Sequence, residues 1–242
     1  MKPVVLAVAL LLWVTAHAQH EAVLDAAGND VADTASLQRG AKYFVNYCLG
    51  CHSARYVRYN RLGEDLQLSQ DQLVSNLMFT GERPFDTMVN AMRPQDAARW
   101  FGVEPPDLSL IARSRGTDYL YTFLRSFYLE AESPTGVNNV VLENTAMPHV
   151  LWKLQGINRA VFEEHDGSEE FSHFETVQAG ELDEQQYNEV VRDLVNFLAY
   201  IGEPMQRERQ ALGIRVIAFL LVFLLIAYLL KKEIWKDVDS RS

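Results

Sequence analysis

"NYCLGCHSARY", residues 46–56, contains both cysteines of the 242-residue chain, Cys48 and Cys51, with His52 immediately behind them. Three chemistries use two thiols and an imidazole at such spacing: a redox disulfide, half of a zinc site, or covalent attachment of a haem. A thioredoxin-type pair sits in a βαβ unit, and no such pattern surrounds residues 48–51. Zinc needs further ligands at ligand spacing, whereas His20, His149, His165 and His173 are scattered. C-x-x-C-H is the attachment signature of c-type haem. Two cysteines one helical turn apart reach the two vinyl groups of a single porphyrin. The next residue then presents its imidazole to the iron from the proximal side.

The compartment agrees with that reading. The chain opens MKPVVLAVALLLWVTAHA: Lys2 supplies a positive start, Val4 to Val14 an apolar core, and Ala16-His17-Ala18 a small-x-small cleavage site. Residues 1–18 therefore read as a signal peptide removed on export, and exported thiols are rarely left free. A second apolar run, from Leu212 to Leu230, is 19 residues long. That length crosses a hydrocarbon core of roughly 30 Å. Arg215 lies near one end, where it reaches the head groups. Lys231, Lys232 and Lys236, with Trp235 at interface depth, mark the far flank as cytoplasmic. The expected layout is an exported domain over residues 19–206, a transmembrane helix over 212–230, and a cytoplasmic tail over 231–242.

Charge divides along the same line. The whole chain carries −10; Lys2 contributes +1, and the seven basic and four acidic residues from Arg207 onward contribute +3, leaving −14 on residues 19–206. Such a domain repels nucleic acid and favours cationic partners. Between Arg159 and Arg192 there is no Lys or Arg, while ten acidic residues from Glu163 to Glu189 crowd in. That stretch is either a solvated loop or a docking face.

The exported part is long enough for one core. Helical punctuation recurs along it. Ser36 can cap a segment whose Ala41, Phe44, Val45 and Cys48 share a face, and Ser69 with Gln72 forms a capping-box pattern before Leu73 and Leu77. Asp118 precedes Leu120, Phe123, Leu124 and Phe127. Glu184 to Ile201 carries a stripe of Tyr187, Val190, Val191, Leu194, Phe197, Leu198 and Ile201, stopped by Gly202 and Pro204. Residues 53–68, 93–106 and 133–183 read as loops, and strand patterns are few and short. The expected fold is mainly α: a single c-type cytochrome domain with long loops, plus one C-terminal transmembrane helix.

The second axial ligand decides what a haem here can do. An open position binds gas or peroxide, whereas a methionine gives an electron carrier of raised potential. Candidates are Met78, Met88, Met92, Met147 and Met205, with His149 as rival. Met88 and Met92, four apart, read as the core of a helix. Met78 ends a helical stripe, and Met205 adjoins the anchor. Met147, in "NTAMPHV", lies in an irregular loop fixed by Pro148 and is the favoured residue.

Four segments carry a family resemblance: "RGAKYFVNYCLGCHSARYVRY" (39–59), "PPDLSLIARSRGTDY" (105–119), "NTAMPHVLW" (144–152) and "NEVVRDLVNFLAYIGEP" (188–204). Followed by a C-terminal span, they resemble the cytochrome c1 family, the haem subunits of quinol–cytochrome c reductases, in its bacterial form. The resemblance implies one haem c with thioethers at Cys48 and Cys51 and iron ligation by His52 and Met147. It also implies Pro106 against the ring, and Arg115 and Tyr119 at a propionate. Without it, Arg115 reads equally as a helix cap and Tyr119 as core. It further implies electron transfer from a Rieske iron–sulfur protein, beside cytochrome b, to a soluble or tethered cytochrome c. The setting would be a dimeric complex in the inner membrane, with the haem domain on the periplasmic side. Other readings of the residues are an anchored cytochrome c of another oxidase or shuttle system, and an open-site haem sensor or peroxidase.

Overall fold

The computed structural model describes residues 23–165 and 167–239. The signal-peptide expectation, His20, and residues 240–242 of the tail lie outside them. Helix α1 (Thr34–Tyr43) continues through a widened turn of π-helix, Phe44–Cys48, into the cysteine motif. Strand β1 (Ala54–Arg58) and helices α2 (Tyr59–Asp65) and α3 (Gln70–Leu77) follow. Then come β2 (Thr87–Met88), α4 (Pro94–Phe101), α5 (Ile111–Arg115), α6 (Thr117–Arg125), β3 (Phe127–Leu129), β4 (Val137–Asn139) and α7 (Trp152–Gln155). Strands β5 (Gly156–His165) and β6 (Ser168–Ala179) precede the two long helices α8 (Glu184–Gly202) and α9 (Gln206–Asp239).

The core is built on the crossing of α1 and α8. Tyr187, Val190, Val191, Leu194, Phe197, Leu198 and Ile201 on α8 are all buried, as the stripe predicts. They meet Leu37, Ala41, Phe44 and Val45, and the rings of Phe44 and Phe197 lie 5.3 Å apart. Each such side chain, fully withdrawn from water, contributes on the order of 2 kcal/mol. Asp193 and Asn196, the buried polar side chains of α8 at the crossing, are both paired. Arg39 grips the buried Asp193 through two bonds, at 2.6 and 2.9 Å. The Asn196 amide donates to the Asp30 carbonyl at 2.7 Å and to the Ser36 hydroxyl at 3.0 Å. Asn196 is 1% exposed and Ser36 6%, so Asn196→Ala leaves the Ser36 hydroxyl without its donor where water is excluded, and removes the bond to the Asp30 carbonyl as well. The expected cost is about 2–3 kcal/mol, read as a lower denaturation midpoint of the full chain in detergent; an unchanged midpoint contradicts it.

Helix ends follow local chemistry. The capping box at Ser69 and Gln72 is present, and Asp183 with Gln186 forms a second one that starts α8. Ser36 is not the cap of α1. Asp33 is, accepting the Ser36 N–H, because a carboxylate one turn earlier reaches the free amides while Ser36 turns inward to Asn196.

Other loop expectations are corrected. Residues 53–68 contain β1 and α2, and residues 93–106 contain α4. Met88 belongs to a helix neither alone nor with Met92. It sits in β2, opposite Ala54, and is fully buried. The largest correction is residues 133–183, which include a long antiparallel hairpin, β5 with β6, of 10 and 12 residues, whose register shifts at Ile157/Asn158 and at Val161/Phe162. Its register pairs Phe162 with Phe171 but also Glu163 with Glu170 and Glu164 with Glu169. Carboxylates opposite one another disfavour pairing, so the run of acids hides the strand pattern; ring contacts along one face, Tyr128 to Phe162 to Phe171 to Phe174, oppose that repulsion.

Helix α9 is apolar and long enough to cross a membrane, and the protein buries none of its apolar window. It begins directly beneath α8, where Arg61 of α2 touches Met205.

Candidate haem site

One largely apolar cavity of about 320 Å³ lies between the cysteine motif, the 101–108 segment, helices α5, α6 and α8, and the 142–150 loop. Cys48, Cys51, His52, Pro106, Arg115, Tyr119 and Met147 all line it. These seven residues, singled out in the sequence, come from three separate segments, 48–52, 106–119 and the loop of Met147.

The motif is shaped by its own backbone. The amides of Cys51 and His52 both donate to the Cys48 carbonyl, at 3.0 and 2.8 Å, closing a tight turn. That turn brings the two thiols and the imidazole to one wall. Burial pushes the Cys48 thiol up to about 12, with the neighbouring Cys51 adding to it, and burial raises Cys51 too. His52 Nδ1 donates to the Pro106 carbonyl at 2.7 Å. With the proton held there, Nε2 carries the lone pair. Burial lowers the His52 pKa, opposed by the Pro106 carbonyl and the Asp107 charge, so the ring stays neutral and able to ligate.

The PPDLS segment is stitched to the residues after the motif. Leu108 N–H donates to the Ser53 carbonyl at 2.8 Å, Arg55 N–H to the Asp107 carboxylate at 3.0 Å, and Tyr56 N–H to the Ser109 hydroxyl at 3.1 Å. On the other side Asn90 donates its side-chain amide to the Cys51 carbonyl and its backbone N–H to the Ser53 hydroxyl.

Met147 is presented by a loop pinned from below. The buried Asn139 donates to the Phe123 carbonyl at 2.8 Å and accepts from the amides of Val141 and Leu142. Asn138 accepts from the amide of Asn144, which adopts a positive φ of 59°. His149, the rival ligand, does not line this cavity. Its ring stacks on Phe127 at 5.0 Å beside a separate cleft of about 200 Å³.

Arg115 stands in the last turn of α5, where Gly116 at φ 89° ends the helix, and it also lines the cavity. Its guanidinium lies 5.5 Å from the Tyr119 ring centre, and Tyr119 stacks on Phe123. Asp107, Asn90 and Asn139 escape sequence reasoning because each acts on backbone farther along the chain, 52, 39 and 16 residues away, while Asn138 acts locally within an irregular loop. The only signal is their type, short polar side chains beside Pro or loop residues.

The residues fit a covalently held haem. Two thiols and a neutral imidazole share one wall, a thioether comes from another segment, and Ile111, Leu120, Leu124 and Leu198 supply apolar surface between them. A zinc site is not assembled: among the described residues no group of three or more His, Cys, Asp or Glu side chains gathers.

Comparison with known proteins gives the same result. The sequence matches the Cytochrome C1 family over residues 28–238. It is 48% identical over 246 residues to a cytochrome c1 of Allochromatium vinosum, covering 98% of this chain and 100% of that one. It is 44% identical over 238 residues to a Nitrosomonas europaea protein named ammonia monooxygenase gamma subunit, covering 98% of each. A cytochrome c1 of Rhodospirillum rubrum is 27% identical over 232 residues, covering 85% of this chain and 83% of that one. Members of this family carry one covalent haem c and serve as the electron-transfer subunit of the bc1 complex. With a family match across nearly the whole described chain and a cavity walled by thiols, imidazole and thioether, the chain belongs to the cytochrome c1 family.

Proposed function

We propose that this chain is the anchored monohaem carrier of a bacterial quinol–cytochrome c reductase, taking single electrons from the Rieske protein and handing them to a soluble or tethered c-type cytochrome. Cys48 and Cys51 would hold the haem through thioethers, His52 and Met147 would ligate its iron, Pro106 would lie against the ring, and Arg115 and Tyr119 would meet a propionate. The observation that carries this reading is the convergence of those seven side chains on one apolar cavity. When bound, the haem supplies a one-electron iron couple.

The chain's own residues set the conditions for that couple. His52 offers Nε2 because Nδ1 is committed to Pro106. A neutral thioether from Met147 favours the reduced state and so raises the potential. The Arg115 guanidinium matches a half-buried carboxylate. Leu120, Leu124 and Leu198 exclude water, and no side chain has to move a proton.

In the assembly, α9 packs beside cytochrome b, and the complex works as a dimer. Residues 1–18 are removed, the 19–206 domain faces the periplasm, residues 212–230 cross the inner membrane, and the 231–242 tail is cytoplasmic. The lysines at 231, 232 and 236 support that orientation.

The name of the Nitrosomonas relative favours a second reading, in which the same haem domain serves a monooxygenase assembly. Purification from native membranes in mild detergent separates the two. The expected result is co-purification with b-type haem and a Rieske iron–sulfur signal in constant ratio. Their absence, with monooxygenase subunits in their place, contradicts the first reading.

A further inference from the structure

Strand β1 leaves the cysteine motif with little support of its own. Its partner β2 is two residues long, and the pairing is irregular between Ala54 and Arg58. The Asp107 carboxylate completes the support. One oxygen accepts the Arg55 N–H at 3.0 Å, and the other accepts the Ser109 N–H at 2.8 Å. It therefore bridges the strand after His52 and the segment that bears the Pro106 carbonyl. That carbonyl, one residue before Asp107, holds His52 Nδ1 at 2.7 Å. A hydrogen bond at Nδ1 orients an imidazole and raises its basicity toward a metal at Nε2.

We propose that Asp107 is a positioning residue: by clamping the 106–109 segment onto residues 53–56 it sets the strength of the His52–Pro106 hydrogen bond, and through it the donor strength of His52 toward the haem iron. This rests on His52 being an axial ligand. Loosening the clamp weakens the bond, makes His52 a poorer donor and favours the reduced iron.

Two variants separate positioning from charge. Asp107→Asn keeps the shape but turns an N–H donor toward one of the two backbone amides. Asp107→Glu keeps the charge but displaces the carboxylate by a methylene. In the full chain in detergent, Asp107→Asn is expected to shift the oxidised-to-reduced equilibrium about tenfold toward reduced, the low end for a lost supporting contact, or about 59 mV. Asp107→Glu is expected to shift it in the same direction, by a smaller factor, because the carboxylate is displaced and not lost. In both, the ring N–H of His52, followed by NMR, exchanges with solvent faster than in wild type. A wild-type potential and wild-type exchange in either variant overturn the proposal. A potential shifted in Asp107→Asn but unchanged in Asp107→Glu also overturns it, because charge alone then suffices. If neither variant assembles, the wild-type protein decides: Arg55 and Ser109 amides protected from exchange together with His52 Nδ1 support the clamp, and rapid exchange at those two amides overturns it. A wild-type spectrum lacking a six-coordinate low-spin haem removes the underlying ligand assignment, and the proposal with it. Wild-type ligation with unaltered variants defeats the proposal alone.

Discussion

Gly40→Val is expected to prevent the haem domain from folding, and Gly40→Ala to destabilise it severely. Gly40 sits inside α1 at the point where that helix crosses α8. A Cβ there would lie 2.1 Å from the Asp193 carbonyl oxygen and 2.7 Å from the Phe197 Cβ. Both belong to the frame of α8 and neither can swing away, so the helices must part. Parting them also pulls Arg39 from the buried Asp193 and loosens the Phe44–Phe197 contact. Alanine improves helix propensity by about 1 kcal/mol over glycine. Overpacking of a tight core costs about 1–3 kcal/mol, and weakening the charge-assisted bonds from the half-exposed Arg39 to Asp193 adds about 1.5 more. The clash therefore wins. For Gly40→Ala the melting temperature of the full chain should fall by about 10 °C; a melting temperature at or above wild type would show that the crossing is looser than described.

Removing both attachment points should have a comparable effect. Cys48→Ala with Cys51→Ala abolishes covalent haem, so the denatured chain carries none on a haem-stained gel. The consequence for stability follows from the cavity. Its walls include Leu120, Leu124, Leu194 and Leu198, which also belong to the main core. Without haem this cavity of about 320 Å³ loses the apolar group that covers these side chains, at a cost of roughly 2 kcal/mol for each side chain that loses its cover. Domain stability is itself only about 5–15 kcal/mol. The double variant should therefore lose protease resistance in residues 23–205 while α9 stays in the membrane. A protease-resistant domain without haem would contradict the role of the cofactor as core.

Local patterns made much of this legible. The stripe on α8, the capping box at Ser69 and the apolar run of α9 are written within a turn or two of sequence, and the structure has each. Met147 could be chosen because Pro148 marks an irregular loop, and the cavity gathers it with His52. Features that depend on distant backbone were hidden. Asp107 matters through Arg55, 52 residues away, and Asn139 through Phe123, 16 residues away. The β5–β6 hairpin was hidden for another reason. Its strands place Glu against Glu and leave Phe162 43% exposed, so alternation of apolar and polar residues is blurred. Met88 misleads because two methionines four apart suggest a helix, whereas pairing across to Ala54 decides its structure.

The most direct test of the central claim is the absorption spectrum of the ferric protein beside its Met147→Leu variant. Methionine on ferric haem gives a weak long-wavelength charge-transfer band that other ligands do not. The expected result is that the wild type shows the band and binds no carbon monoxide when reduced, while Met147→Leu loses the band, binds carbon monoxide and has a lower potential. A wild type without the band, or a Met147→Leu variant that keeps it, would contradict the assignment of this cavity as a closed electron-transfer site held by His52 and Met147.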